Sequence, residues 1–157
     1  MIGSIEQSLA EAGDRSKPSS QSSADDTTGV ATAAPMVLII EDDFFVASHI
    51  EAVLNDLGYT NCAIASQPVV AVNLATDLQP DLLLADVNLG TDIDGIETAQ
   101  LICSRQRAGV VFVTAYTDAA TMNRIRRAFP AAPILNKPVS SEQLKAALDQ
   151  AAAGSAS

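Results

Sequence analysis

Five short apolar runs constrain this chain more than any other feature, because helix-length segments separate them and four end in a reactive polar group. They are Val37-Leu38-Ile39-Ile40 before Glu41-Asp42, a weaker run at 60–65, Leu82-Leu83-Leu84-Ala85 before Asp86, Val110-Val111-Phe112-Val113 before Thr114, and Ile134-Leu135 before Lys137-Pro138. Continuously apolar strands, rather than alternating ones, belong to a parallel sheet covered on both faces. The spacing predicts strands at 36–41, 60–65, 81–86, 110–114 and 132–135, with helices at about 44–57, 67–78, 94–106, 118–129 and 140–152. Gly58, Gln79-Pro80, Gly109 and Pro130 sit where those helices should stop.

Five β-α units over 36–152 suit a flavodoxin-like, doubly wound α/β fold with strand order 2-1-3-4-5. Right-handed crossovers then bring the C-terminal ends of strands 1, 3, 4 and 5 to one crevice, the edge at which such sheets bind ligands. With 157 residues and 48% hydrophobic content, the chain can bury the core of one domain but not comfortably of two.

Residues 1–35 read differently. The stretch 14–29 is rich in Ser, Thr and Asp and has no apolar period, so a disordered tail is expected. Residues 4–12 are a candidate short helix, capped by Ser4 with Gln7 three residues on, with Ile2, Ile5, Leu9 and Ala12 near one face. Met36, just before the first strand, is a second candidate translation start. Disorder is also expected at 153–157, with no output domain beyond.

The net charge of -10 and pI near 4.2 leave no basic stripe, so direct DNA or RNA binding is not expected. No run approaches the ~20 apolar residues of a membrane span, and no signal-peptide pattern opens the chain. Neither membrane insertion nor export is expected, and the default compartment is the cytoplasm. Cys62 and Cys103 lack metal or redox spacing and read as apolar packing.

At the crevice, Glu41, Asp42 and Asp86 would converge. Three neighbouring carboxylates repel strongly in a partly dry site, so either some stay protonated or a hard cation binds. Oxygen ligands suit Mg²⁺ or Mn²⁺. Asp86 is the best candidate nucleophile, since carboxylates form covalent phosphoryl intermediates. Charge on a transferred phosphoryl group needs cationic and donor groups around it. Lys137 would pair with one oxygen and the Thr114 hydroxyl with another, and Pro138 restricts the backbone at the lysine.

Taken together, Glu41-Asp42, Asp86, Thr114 and Lys137-Pro138 resemble the signature of response-regulator receiver domains of two-component signalling, over about 36–152. The resemblance implies that Asp86 is the phospho-acceptor. It implies that Asp42, Asp86 and the backbone carbonyl of Asn88 ligate Mg²⁺, with Glu41 acting mostly through water. Asp43 maps onto a variable acidic position. Thr114 maps onto the switch hydroxyl, Lys137 onto the phosphate-binding lysine, and Asp94-Gly95 onto the Asp-Gly after strand 3. The stretch from Asn88 to Asp94 is about one residue longer than usual. Where receivers commonly carry an aromatic, three residues before the lysine, this chain has Ile134. Instead Phe112-Val113-Thr114-Ala115-Tyr116 resembles the Phe-Ala-Thr-Gly-Tyr run of a mostly stand-alone subgroup, with Ala115 for glycine, which makes Tyr116 the candidate switch aromatic.

The function so implied is that of a single-domain regulator. It would take phosphate from a histidine kinase or histidine phosphotransfer protein and signal by contact with a downstream protein. It would not be an enzyme beyond its own phosphorylation and slow dephosphorylation. Arg124, Arg126 and Arg127 are a candidate partner surface, and His49 reads as structural or surface. Alternatives are a phosphate sink, a receiver that binds protein without taking phosphate, an aspartyl-phosphate phosphatase and an FMN carrier. The haloacid-dehalogenase phosphatase type needs Asp-x-Asp after its first strand, whereas Asp86-Val87-Asn88 follows the third. Glu41-Asp42-Asp43 would repel the phosphate of FMN.

Overall fold

A computed structural model describes residues 34–156. The candidate helix at 4–12, and all but the last two residues of the expected tail, lie outside the described residues. Strands are β1 (Met36–Ile40), β2 (Asn61–Ala65), β3 (Leu82–Ala85), β4 (Gly109–Thr114) and β5 (Ile134–Asn136). Helices are α1 (Phe44–Asp56), α2 (Pro68–Leu78), α3 (Gly95–Cys103), α4 (Ala119–Ala128) and α5 (Ser141–Ala156). All pairings are parallel, and the order is β2-β1-β3-β4-β5, as the apolar runs predict.

Every residue of β1, β3 and β4 is buried, which explains their unbroken apolar sequence. Their side chains divide between two cores by alternation. Leu38, Ile40, Leu83, Ala85 and Phe112 pack with Ala71, Ala75, Ile96, Ala99, Ile102 and Ile125, from α2, α3 and α4. Val37, Ile39, Leu82, Leu84, Val111 and Val113 pack on the other face with Ala47, Ile50, Leu54, Leu144 and Leu148, from α1 and α5. Each fully buried Leu or Ile contributes roughly 2 kcal/mol relative to exposure. The edge strands β2 and β5 are only partly covered.

Three elements depart from the sequence reading by more than one residue at an end. Strand β5 is shifted toward the site, covering 134–136 instead of 132–135. Pro133 has no N–H to give the ladder, though its carbonyl accepts from Phe112 N at 3.0 Å. Helix α3 stops at Cys103 rather than near 106, where Ser104 turns its hydroxyl onto the Leu101 carbonyl (2.7 Å). Helix α5 runs on to Ala156, past the expected end at 152.

Caps fix where the helices leave the crevice. Asp43 caps α1, accepting from Phe45 N and Val46 N. Asp94 and Glu97 form a reciprocal capping box on α3, and Ser140 and Gln143 form one at the start of α5. Asp118 caps α4.

Gly95 is where α3 meets the sheet. A Cβ built there would stand 1.7 Å from the carbonyl oxygen of Asp86, and Gly95 N donates to the Val87 carbonyl at 2.7 Å. No rotamer relieves an overlap between a Cβ and main chain. Gly95→Ala should therefore cost about 3 kcal/mol or more, measured as a lowered urea midpoint. Gly154→Ala, in α5 where a Cβ meets nothing within 4 Å, should change stability by no more than about 1 kcal/mol.

Candidate functional site

The polar residues of the crevice lie one step beyond the strands, yet the main-chain ladder still holds them. Asp86 N donates to the Ile40 carbonyl at 2.9 Å, Glu41 N to Ala65 at 3.0 Å and Lys137 N to Thr114 at 3.1 Å. Thr114 itself ends β4, opposite Asn136. The rigid part of the fold thus fixes where each of these four side chains begins.

At the centre, Lys137 Nζ donates to Glu41 Oε2 at 2.6 Å and to Asp86 Oδ2 at 3.0 Å. Glu41 is 2% exposed, Asp86 7% and Thr114 0%. Asp42 is the exposed member of the acid group. One carboxylate oxygen from each of Glu41, Asp42 and Asp86 lies within 4.8 Å of the others. Burial pushes the Glu41 carboxyl up, from 4.5 to about 7. The Lys137 contact and the Asp43 N–H oppose that rise, while the Asp86 charge adds to it. Burial works against the Lys137 ammonium, but its bonds to Glu41 and Asp86 outweigh it and hold its pKa above the ordinary value.

This donor set fits a hard divalent cation. It is all oxygen, carries excess negative charge and includes an open side at Asp42. Gly90 closes in on that side: its φ is +67°, and a Cβ there would stand 3.6 Å from Asp42 Oδ2. The Glu41 oxygens are taken by Lys137 and by Asp43 N (3.1 Å), and those of Asp86 by Lys137 (3.0 Å) and Asn88 N (3.4 Å), which leaves Asp42 as the most available ligand.

The other predicted residues fall into separate places. Asn88 is in the loop after β3, where its side-chain oxygen accepts from Gly90 N (3.0 Å) and its amide donates to the Tyr116 hydroxyl (3.2 Å). Tyr116 is 52% exposed, and its backbone N donates to Thr114 Oγ1 at 3.0 Å. Ile134 packs on the α2–α3–α4 core. Asp43 serves as the α1 cap, and His49 lies exposed on α1. The three arginines differ in their partners. Arg124 pairs with Asp94, and Arg126 donates to the carbonyls of Pro130 and Ala132. The Arg127 side chain makes no hydrogen bond or ion pair to the described residues. Cys62 and Cys103 are half-buried, and burial raises both thiols.

Sequence reasoning missed the side-chain bridge from Asn88 to Tyr116 and the Arg124–Asp94 pair. For the first, the Asn88–Gly90 spacing signals only the local turn, since Asn side chains bond the main chain two residues on, and says nothing of a partner 28 positions away. For the second, positions 30 apart carry no periodic cue.

Known proteins place this geometry. Residues 37–149 match the response regulator receiver domain family. The chain is 30% identical over 131 residues to the phyllosphere-induced regulator PhyR of Methylorubrum extorquens, covering 80% of this chain and 48% of that protein. It is 34% identical over 126 residues to the transcriptional regulatory protein PdtaR of Mycobacterium tuberculosis, covering 80% of this chain and 60% of that one. It therefore spans about half to three-fifths of the length of these relatives. The signal receiver domain of a modulated diguanylate cyclase from Desulfovibrio desulfuricans G20 superposes with a TM-score of 0.73 at 31% identity, covering 79% of this chain and 98% of that one.

Two outcomes follow from the electrostatics. A carboxyl raised in the folded state stabilises the fold fully below its unfolded pKa and loses that contribution as pH rises through the folded value. For Glu41 the window runs from 4.5 to about 7. With EDTA present, urea midpoints should show wild type losing stability relative to Glu41→Gln between pH 5 and pH 8. A difference that stays constant would remove burial of Glu41 as the cause. Millimolar Mg²⁺ should raise the melting temperature of wild type by mass action and hardly change that of Asp42→Asn. The increment is the informative quantity, because relieved repulsion raises the mutant's metal-free baseline.

Proposed function

Because this chain belongs to the response regulator receiver domain family, we propose that it carries a phosphoryl group on Asp86 and signals its presence through protein contact. The observation that carries this reading is the buried Asp86 carboxylate held 3.0 Å from the Lys137 ammonium, with Glu41, Asp42 and the Thr114 hydroxyl at neighbouring strand ends.

The donor is a phosphohistidine, on a histidine kinase or a histidine phosphotransfer protein. An Asp86 oxygen attacks phosphorus and forms the P–O bond as the P–N bond breaks. The bonding pair returns to the imidazole nitrogen, which takes up a proton. Lys137, already bridging Asp86 and Glu41, turns toward a phosphoryl oxygen as negative charge grows there. Asp42, Asp86 and the Asn88 carbonyl are the groups that would hold Mg²⁺ or Mn²⁺, with Glu41 behind them. A bound cation would supply further positive charge to the phosphoryl oxygens. The protein turns over no separate substrate: its chemistry is gain and slow loss of its own phosphoryl group.

Readout runs through Thr114. Its hydroxyl oxygen now accepts from Tyr116 N. Turning that hydroxyl to donate to a phosphoryl oxygen loosens the hold and moves the segment carrying Ala115 and Tyr116. A charge at Asp86 shifts this equilibrium only through such a contact, made in one state and not in the other. The surface that changes is formed by α4, β5 and α5, where a downstream protein would bind. Among the described residues no helix is long and apolar enough to cross a membrane.

Acetyl phosphate with Mg²⁺ should add one phosphoryl mass to the intact protein, and Asp86→Asn should abolish the addition. Intact-protein mass spectrometry reads both, and equal labelling of wild type and Asp86→Asn would sink the assignment.

A further inference from the structure

Helix α4 is the least buried of the five described helices. Of its ten residues only Ile125 is buried, whereas α3, one residue shorter, buries Gly95, Ile96, Thr98, Ala99 and Ile102. Two cavities open along the seam between these helices. One, of about 260 Å³, lies among Ile96, Glu97, Gln100, Arg127 and Ala128, and the other, of about 240 Å³, lies among Val87, Asn88, Asp94, Tyr116 and Thr121. Arg124 lines both. Packing therefore does not close this seam, and the Arg124–Asp94 ion pair spans it.

The Asp94 end of that pair is rooted at the site. Asp94 Oδ1 accepts from Glu97 N at 3.0 Å as the α3 cap, while Oδ2 takes Arg124. The next residue, Gly95, is the one pressed against the Asp86 main chain. We propose that the Arg124–Asp94 pair is a resting-state strut that holds α4 against the acceptor loop, so that α4 moves on phosphorylation only when this pair is given up. The proposal rests on Asp86 being the acceptor. The pair is partly exposed, with side chains 49% and 19% accessible, so its strength is that of a modest latch. Exposed pairs shift an equilibrium by up to about five-fold, enough to set the balance of a helix with one buried anchor.

Two variants test it. Asp94→Asn removes the charge but keeps the cap, because Asn caps as well as Asp. Arg124→Gln removes the other partner without touching α3. In the unmodified protein, hydrogen exchange of α4 amides should quicken several-fold in both variants. The beryllofluoride-Mg²⁺ complex, a phosphoryl mimic, should bind both about two- to five-fold more tightly than wild type. The double variant should match the singles rather than multiply them, since either change already removes the same contact. Faster α4 exchange with unchanged beryllofluoride affinity would make the pair a brace and overturn the gate. Unchanged exchange would overturn the strut altogether. Failure of wild type to bind the mimic would overturn the acceptor reading and the gate with it, whereas normal wild-type binding with unaltered variants would overturn the gate alone.

Discussion

One ammonium stands among three carboxylates, and both the sheet and the site depend on it. Lys137 follows β5, Asp86 follows β3 and Glu41 follows β1, and in the strand order β4 lies between the lysine and both of its partners. Its reach crosses the end of β4 at Thr114, where a small side chain stands. Two carboxylates as buried as Glu41 and Asp86 are costly without a counter-charge: breaking a buried pair leaves an uncompensated charge worth roughly 3–5 kcal/mol. The same contact that stores the site's positive charge thus ties the last strand to the first and third. The two raised values have different origins: burial lifts the Glu41 carboxyl, with the Asp86 charge adding to it, whereas the bonds to both acids lift Lys137.

That excess of acid also helps to set the register. In an antiparallel sheet with one wet face, a slip by one residue would expose the core, so the apolar pattern fixes the pairing. Here β1, β3 and β4 are apolar on both faces, and that penalty is weak. What resists a slip is the charge at each strand end. Drawing Asp86 or Glu41 one place into the sheet would separate it from Lys137 and bury it unpaired. Gly95 adds a steric stop, since its close approach to the Asp86 carbonyl exists in one register only. Acceptor chemistry and strand alignment are therefore served by the same residues.

Much of this was legible because the governing effects are local in sequence. Unbroken apolar runs give buried parallel strands, and the residue ending each run must lie at the crevice, so Glu41, Asp42, Asp86, Thr114 and Lys137 could be brought together before any coordinates. The two-residue shift of β5 was hidden because Pro133 looks like the interior of the run Ala132–Leu135, and only the missing N–H moves the ladder onward. The basic run at 124–127 read as one surface, yet helical geometry turns Arg124 toward Asp94 and Arg126 toward the carbonyls after the helix. Which face an exposed charge takes is decided by partners on other elements, and sequence spacing carries no record of them. The role of Tyr116 was half legible: its position two residues after Thr114 could be read, but its bond to Asn88 could not.

The two halves of the crevice differ in how they are held, and the difference bears on where a signal can leave. Glu41, Asp86 and Lys137 are gripped by main-chain bonds continuous with the sheet, so charge added at Asp86 cannot displace them far without breaking the ladder. On the other side, the segment from Ala115 to Asp118 and the helix after it are retained by side chains: Thr114 Oγ1 on Tyr116 N, Asn88 on the Tyr116 hydroxyl, Arg124 on Asp94, and Ile125 in the core. Side-chain contacts of this kind are individually modest and can be exchanged one for another. A helix seated by one buried residue sits at the low-stability end of the structure, from which moving elements are drawn. New charge in the crevice therefore meets a rigid wall at β1, β3 and β5 and a yielding one at α4, and the yielding wall is the one that can carry the event to the surface.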